Sequence, residues 1–243
     1  MKKTTTLLAA AILTTAIATS CKRNITEGKG ETITDARSIS NFTSVALDVS
    51  VNANIQVTEG AAASVELKGY ANILKNIKTE VKNGKLHISS DDLFHFRTDR
   101  DIVANIVVPS LSLLEINGAG DAKVTGVVKG DKFKVEVSGA GDVEIENIIA
   151  NTFEADLSGA GDLKIAQGTV TDSRLEVTGV GDIDAFGLQT QNTRAEVTGA
   201  GEVHVSASQK LVAEVTGAGD IKYKGQPQVT SDITGAGSVE EAK

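Results

Sequence analysis

A tetrapeptide of two glycines closing on an acid returns through the second half of this 243-residue chain at an almost fixed interval. It reads Gly-Ala-Gly-Asp at 118–121, 139–142, 159–162 and 217–220, Gly-Val-Gly-Asp at 179–182, Gly-Ala-Gly-Glu at 199–202 and Gly-Ala-Gly-Ser at 235–238. Successive first glycines are 21, 20, 20, 20, 18 and 18 residues apart. Seven copies at such a period mark a solenoid, in which each unit buries its apolar face only by stacking on its neighbours.

Each unit has one anatomy. An alternating apolar run such as Phe133, Val135, Val137 precedes the glycines, and a second such as Val143, Ile145 follows them. The same holds for Phe153, Ala155, Leu157 with Leu163, Ile165, and for Leu211, Ala213, Val215 with Ile221, Tyr223. Period-two alternation means strand. Two or three short strands and their corners fit one coil of a β-helix, whereas a propeller blade needs four strands and more residues. Parallel crossovers favour the right hand. The expected fold is an all-β, right-handed parallel β-helix with coils of 18–21 residues. Its corners fall at Gly118, Gly120, Gly139, Gly141, Gly159, Gly161, Gly179, Gly181, Gly199, Gly201, Gly217, Gly219, Gly235 and Gly237. There the backbone needs positive φ, or adjacent coils come too close for a side chain. With no Trp, 3% aromatics and 24 glycines, the core is built from Val, Ile, Leu and Ala.

Stacking such coils about 4.8 Å apart places equivalent residues in columns. One column is Glu115, Glu136, Asp156, Glu176, Glu196, Glu214 and Asp232; a second is Asp121, Asp142, Asp162, Asp182, Glu202 and Asp220. Between them run Asn117, Ser138, Ser158, Thr178, Thr198, Thr216 and Thr234. Like charges at that spacing repel by about 3.5 kcal/mol at an effective dielectric of 20, so the columns need compensation. Corner carboxylates can accept turn N–H groups, and Lys123, Lys164, Lys222, Arg174 and Arg194 interleave positive charge. The alternative is a cation or ligand face, with Ca²⁺ the fitting ion because it takes six to eight oxygen ligands. Calcium-binding nonapeptide rolls repeat every nine residues, so their sites do not transfer to this period.

The first half reads differently. Lys2 and Lys3 precede an apolar run from Leu7 to Ala18, and the segment closes Ala18-Thr19-Ser20-Cys21. This fits a signal peptide over 1–20 and resembles a bacterial lipoprotein signal, in which the cysteine takes diacylglycerol and becomes the mature N-terminus. Cys21, the only cysteine, is then the lipidation site, acylated with palmitate-like chains that anchor the protein in the cell envelope, with the outer membrane as the expected location. Residues 21–243 carry 22 basic and 32 acidic side chains, a net charge of −10 that argues against nucleic acid as a partner. One cysteine and three scattered histidines offer no cysteine-based or two-histidine metal spacing.

Residues 21–35 are polar with Gly28 and Gly30, which suggests a flexible tether. Residues 36–114 form an N-terminal β region expected to supply the first coils of the same domain, and 115–243 the repeat coils. Alternation predicts strands over 45–57, 64–68, 79–89 and 102–108, with an Asn83-Gly84 hairpin turn and a short helix near 71–77.

The run Ile116-Asn117-Gly118-Ala119-Gly120-Asp121, with its later Ser-Gly-Ala-Gly-Asp and Thr-Gly-Ala-Gly-Asp copies, resembles the bacterial head GIN domain, a family described as auto-transporter adhesins. The resemblance spans roughly 36–240, the opening from Phe42 to Val57 included. It implies a secreted or lipid-anchored adhesin-like module and brings no catalytic or ligand residues with it.

Function is therefore read as non-catalytic binding, with a glycan or an envelope protein as partner. A periplasmic scaffold or accessory subunit is the alternative, and a polysaccharide-active enzyme a third. The last fares badly, because coils of near-constant length build no cleft and no Ser-His-Asp or Cys-His set is present. His87 and His204 read as lone surface residues, and Arg174/Glu176 and Arg194/Glu196 as solvated cross-coil ion pairs. Phe94-His95-Phe96-Arg97 is the candidate exposed aromatic contact, or else a buried edge or coil cap.

Overall fold

A computed structural model describes residues 25–91 and 94–242. The proposed signal and Cys21 lie outside the described residues. Strands in chain order are β1 (Ile25–Glu27), β2 (Thr32–Arg37), β3 (Ser44–Leu47), β4 (Asn52–Val57) and β5 (Ser64–Tyr70), followed by the short helix α1 (Ala71–Leu74). Next come β6 (Ile77–Lys82), β7 (Lys85–Ser90), β8 (His95–Arg97), β9 (Val103–Val108) and β10 (Leu113–Ile116). The repeats supply β11 (Ala122–Gly139), β12 (Val143–Gly159), β13 (Leu163–Gly179), β14 (Ile183–Gly199) and β15 (Glu202–Gly217). The chain closes with β16 (Asp220–Lys224), β17 (Gln228–Gly235) and β18 (Ser238–Glu241). The molecule is a β-solenoid with almost no helix.

The expected two or three short strands per unit are fused into single strands of 16–18 residues in β11 to β15, each running from one glycine corner to the next. Consecutive coils pair in parallel and in register, as at Phe133↔Phe153, Val135↔Ala155 and Val137↔Leu157. The inward residues stack into one continuous buried ladder from Phe42 to Ile221. Phe133 and Phe153 lie in it with ring centroids 5.7 Å apart.

At the corners, glycine is needed for space as much as for conformation. Gly139 has φ +144°, and a Cβ there would lie 2.2 Å from the carbonyl oxygen of Gly118 on the coil below. That carbonyl accepts the N–H of Ala140 at 3.1 Å, so the coils meet backbone to backbone.

The N-terminal region combines a coil with the hairpin and antiparallel strands. β3 and β4 form the coil directly beneath β10 and β11, with Leu47 beside Ile116 and Ala53 beside Ala122. About half the alternating run over 45–57 is thus strand on each side of a corner at Asp48–Val51, because the same alternation continues through both arms. The intervening chain then folds past this coil. β9 pairs in parallel with β4, β5 pairs antiparallel with β9, and β2 antiparallel with β5. The β6–β7 hairpin turns at Asn83 (φ 52°) and Gly84 (φ 75°), as its sequence requires. α1 lays Ile73 and Leu74 into the core, and Arg37 donates to the carbonyls of Leu74 and Ile77 at 2.9 and 3.2 Å.

The flexible tether expected over 21–35 is corrected for its described part. β1 pairs in parallel with β8, and Thr32 to Asp35 pair with β5. These residues are polar because they form the outermost strands, where side chains meet solvent while the backbone completes a ladder.

Candidate functional site

The acidic columns read from the period are real neighbours. Strand pairing sets Glu115 beside Glu136, then Asp156, Glu176, Glu196, Glu214 and Asp232 in turn. Ser138, Ser158, Thr178, Thr198, Thr216 and Thr234 form the exposed hydroxyl column next to it, with Asn117 at its head beside Asp48, whose carboxylate accepts from the Asn117 amide at 2.7 Å.

The first column is neutralised by Lys134, Arg174 and Arg194, each two residues before a column acid on its own strand, and by Lys85 of β7. Lys85 reaches Glu115 at 2.5 Å, and Lys134 bridges Glu136 and Asp156 at 2.5 and 2.8 Å. Arg174 pairs with Glu176 and reaches Glu196 at 3.8 Å; Arg194 pairs with Glu196 and with Glu214, the latter at 2.9 Å. Lys134, Arg174 and Arg194 thereby each tie two successive coils. The carboxylates of Asp156 and Glu136 hold the Lys134 ammonium well above its ordinary range, and Glu196 does the same for Arg194.

The corner column is compensated by hydrogen bonds instead. The backbone N–H of Asp142 donates to Asp121 Oδ1 at 3.0 Å, that of Asp162 to Asp142 at 3.0 Å, that of Asp182 to Asp162 at 2.9 Å and that of Glu202 to Asp182 at 2.7 Å. The donor was expected in the same turn, as in an Asx-turn; it belongs to the next coil. The amide of Asn52 starts the series by accepting from the Asp121 N–H at 3.1 Å. Glu202 interrupts it. Its longer side chain swings to Lys222 and to His204, and the Asp220 N–H donates to Gly201 O at 3.1 Å instead. Asp220 then accepts both the N–H and the hydroxyl of Ser238 at 2.8 Å. The hydrogen bond from Lys222 pulls the Glu202 carboxyl below its usual value, against a smaller opposing effect of burial.

One column was not foreseen. Outward positions just past the corner read Lys123, Glu144, Lys164, Asp184, His204, Lys222 and Glu240 down the stack. Acids and basic residues nearly alternate, and neighbours pair across coils: Lys123–Glu144 at 3.0 Å, Lys164–Asp184 at 4.0 Å and the His204 ring with Asp184 at 3.8 Å. Lys123 and Lys164 are therefore spent here rather than on the corner acids. Aligning the repeats on their glycines would have exposed the pattern.

Between these columns lies a groove of about 340 Å³ lined by Asp142, Asp162, Asp182, Glu202, Lys164 and His204. At its edge Phe186 stacks on His204, rings 4.4 Å apart and 9° from parallel, and Lys224 Nζ sits 4.2 Å from the Phe186 ring. His204 is thus embedded in partners rather than alone. His87 likewise meets Asp48 at 3.2 Å. Phe94 and Phe96 are half-buried against the core and 5.7 Å from each other, which fits the buried-edge reading of this patch rather than an exposed aromatic contact. β8 carries Phe96 into pairing with Thr26 of β1.

For the cation face, the arrangement supplies single oxygens in a row rather than a cage. Among the described residues no group of three or more His, Cys, Asp or Glu side chains converges to hold a metal ion. No described helix is long and apolar enough to cross a membrane.

The family described as "Putative auto-transporter adhesin, head GIN domain" matches residues 41–227. The chain is similar to the crystal structure of a "putative adhesin" from Bacteroides fragilis, at 25% identity and TM-score 0.84, over 89% of this chain and 99% of that one. It is similar in fold to a "putative adhesin" from Parabacteroides distasonis (23% identity, TM-score 0.73, 90% and 100% covered). A "putative lipid binding protein" from the same organism shares that fold (24% identity, TM-score 0.73, 89% and 99% covered). Among curated proteins, none matches the chain.

Proposed function

We propose, for a chain that belongs to the head GIN domain family, that it is a lipid-anchored, extracytoplasmic adhesive module without catalytic activity. The observation that carries this reading is the uniform face of the solenoid. Exposed Ser138, Ser158, Thr178, Thr198, Thr216 and Thr234 repeat in register beside ion-paired carboxylates, and no inserted loop interrupts them. Such a surface suits an extended partner with its own repeat, a glycan above all, bound through many weak polar contacts.

Adhesin descriptions of the family and of its structural neighbours support a non-catalytic role.

Attachment is assigned to Cys21, with the protein in the outer membrane. Metabolic labelling with palmitate checks it: label is expected in the native chain and lost in Cys21→Ser. Protease accessibility of the domain on intact cells, against a known periplasmic lipoprotein, tests adhesion itself. Cleavage on intact cells followed by signal on glycan arrays supports it; protection until the envelope is opened transfers the protein to the periplasmic scaffold reading, which the uncovered end of the solenoid favours.

A further inference from the structure

The hydroxyl column starts at a hollow. Asn117, its head, borders a cavity of about 350 Å³ that Ser50, Ser90, Phe94, Phe96 and Gly118 also line, a volume within the range of small-ligand pockets. The half-buried Phe94 and Phe96 rings give it an apolar wall. Among the described residues the hydroxyls of Ser50 and Ser90 engage no hydrogen-bond partner. Asp48 accepts from the Asn117 amide at 2.7 Å on one oxygen and meets His87 at 3.2 Å with the other, which fixes the amide at the rim and leaves the Asn117 carbonyl oxygen as an acceptor. Asp91, on the same lining, pairs with Lys78.

Gly118 makes a second observation. On the next coils glycine is compulsory at this place: a Cβ at Gly139, Gly159 or Gly179 would lie 2.1–2.2 Å from a carbonyl oxygen of the coil below, at φ of +132° to +144°. At Gly118 the nearest atom to such a Cβ is Ser50 Oγ at 3.7 Å, an ordinary contact, and φ lies outside the left-handed region. The backbone there would accept alanine. What a side chain would cover is the Ser50 hydroxyl, so this glycine keeps open a space that packing does not require.

We propose that this hollow seats the terminal sugar of the glycan held by the hydroxyl column, a neutral hexose with its ring against Phe94 and Phe96 and its hydroxyls on Ser50, Ser90 and Asn117. The proposal rests on glycan adhesion along that column and adds where the sugar chain ends and what kind of sugar ends it. A hexose ring has an apolar C–H face and a rim of hydroxyls, each both donor and acceptor. The hollow offers the matching pair, aromatic carbon on one wall and free hydroxyls with an amide oxygen on the other. Past Asn117 the column passes to Asp48, so the run of neutral side chains stops at the hollow. Two carboxylates and no lysine or arginine line it, which sets an anionic terminus, uronic, sialic or phosphorylated, against like charge.

An array of neutral manno-, galacto- and gluco-oligosaccharides, each also present capped with sialic acid, tests this with the purified full chain carrying Cys21→Ser. Binding to a neutral series is expected, lost on capping and about tenfold weaker in Phe96→Leu and in Gly118→Ala. Ser50→Ala, on an exposed residue clear of the core, is expected to bind about threefold more weakly, and all three variants to keep the native melting temperature. The column variant Thr178→Ala with Thr198→Ala should lose less than Phe96→Leu does. Binding that survives Phe96→Leu, Gly118→Ala and Ser50→Ala but falls in the column variant overturns the hollow and leaves adhesion along the column standing. No binding to any glycan overturns the adhesion reading and the hollow with it. Equal binding of capped chains overturns the neutral terminus, and a Gly118→Ala chain that melts as low as Gly139→Ala overturns the argument from the spared glycine.

Discussion

The carboxylate of Asp142 accepts the backbone N–H of Asp162 at 3.0 Å, while the Asp162 carbonyl accepts the N–H of Val143 at 2.8 Å. Side chain and backbone thus clasp neighbouring coils reciprocally at the corner. Asp142→Ala removes the acceptor and is expected to lower stability by about 0.5–1.5 kcal/mol. Asp142→Asn keeps a side-chain oxygen and relieves like charge in the column, so its urea midpoint should equal or exceed that of the native chain. Equal losses in both variants would refute the clasp.

Gly139→Ala is expected to cost about 2–4 kcal/mol, combining left-handed strain with a Cβ pressed on the Gly118 carbonyl. The exposed neighbour provides the control: Ala140→Ser should stay within about 0.5 kcal/mol of the native chain. Thermal melts of the pair decide it.

Glu202 and Lys222 give a pH signature. The folded Glu202 carboxyl lies below its unfolded value, so its contribution is present above the unfolded pKa and is lost as pH falls through the folded one. Lys222→Met should lower the urea midpoint slightly near neutral pH, as expected for a pair this accessible to solvent. That difference should vanish in acid, and the Glu202 titration followed by NMR should move up toward the ordinary range.

Where the inward column passes from Phe133 and Phe153 to Ser173 and Thr193, the core carries a hydroxyl network. Thr193 Oγ1 lies 2.9 Å from Ser173 Oγ and 2.6 Å from Thr190 Oγ1, and Thr190 donates to the Ser206 carbonyl at 2.9 Å. Thr193→Val strands the buried Ser173 hydroxyl and is expected to cost about 1–3 kcal/mol. Adding Ser173→Ala and Thr190→Val should recover much of that loss, since removing all partners leaves nothing unsatisfied. Additive losses in denaturant melts would contradict the network.

Calcium is expected to leave the melting temperature unchanged, and a chelator likewise, because one oxygen of each of Asp121, Asp142 and Asp162 is engaged by an N–H of the next coil and the carboxylates stand in a row rather than a cage. A rise with calcium reversed by chelator would restore the acidic face as a cation site.

How much of this was legible in the sequence depended on the repeat. Wherever two coils share a period, register follows from arithmetic, and the columns through Glu136 and Ser138 fell out residue by residue. The N-terminal third has no period. Nothing local in Val45–Leu47 tells that its neighbour is Leu114–Ile116 rather than the next strand, and antiparallel β5 alternates just as a coil does. The polar run before Arg37 looked unstructured because outer strands carry few apolar residues. Taken one by one, nothing in the sequence distinguishes Thr190, Ser173 and Thr193 from other hydroxyl residues; only alignment with Phe133 and Phe153 places two of them inside.

The corner series also has a first and a last member. Asn52, an uncharged amide, receives the first N–H, and Ser238, an uncharged hydroxyl, gives the last without offering a carboxylate onward. Both termini of the row are written in neutral side chains, so the row carries its own punctuation, and the one break inside it, at Glu202, is bridged by the Gly201 carbonyl in place of a carboxylate.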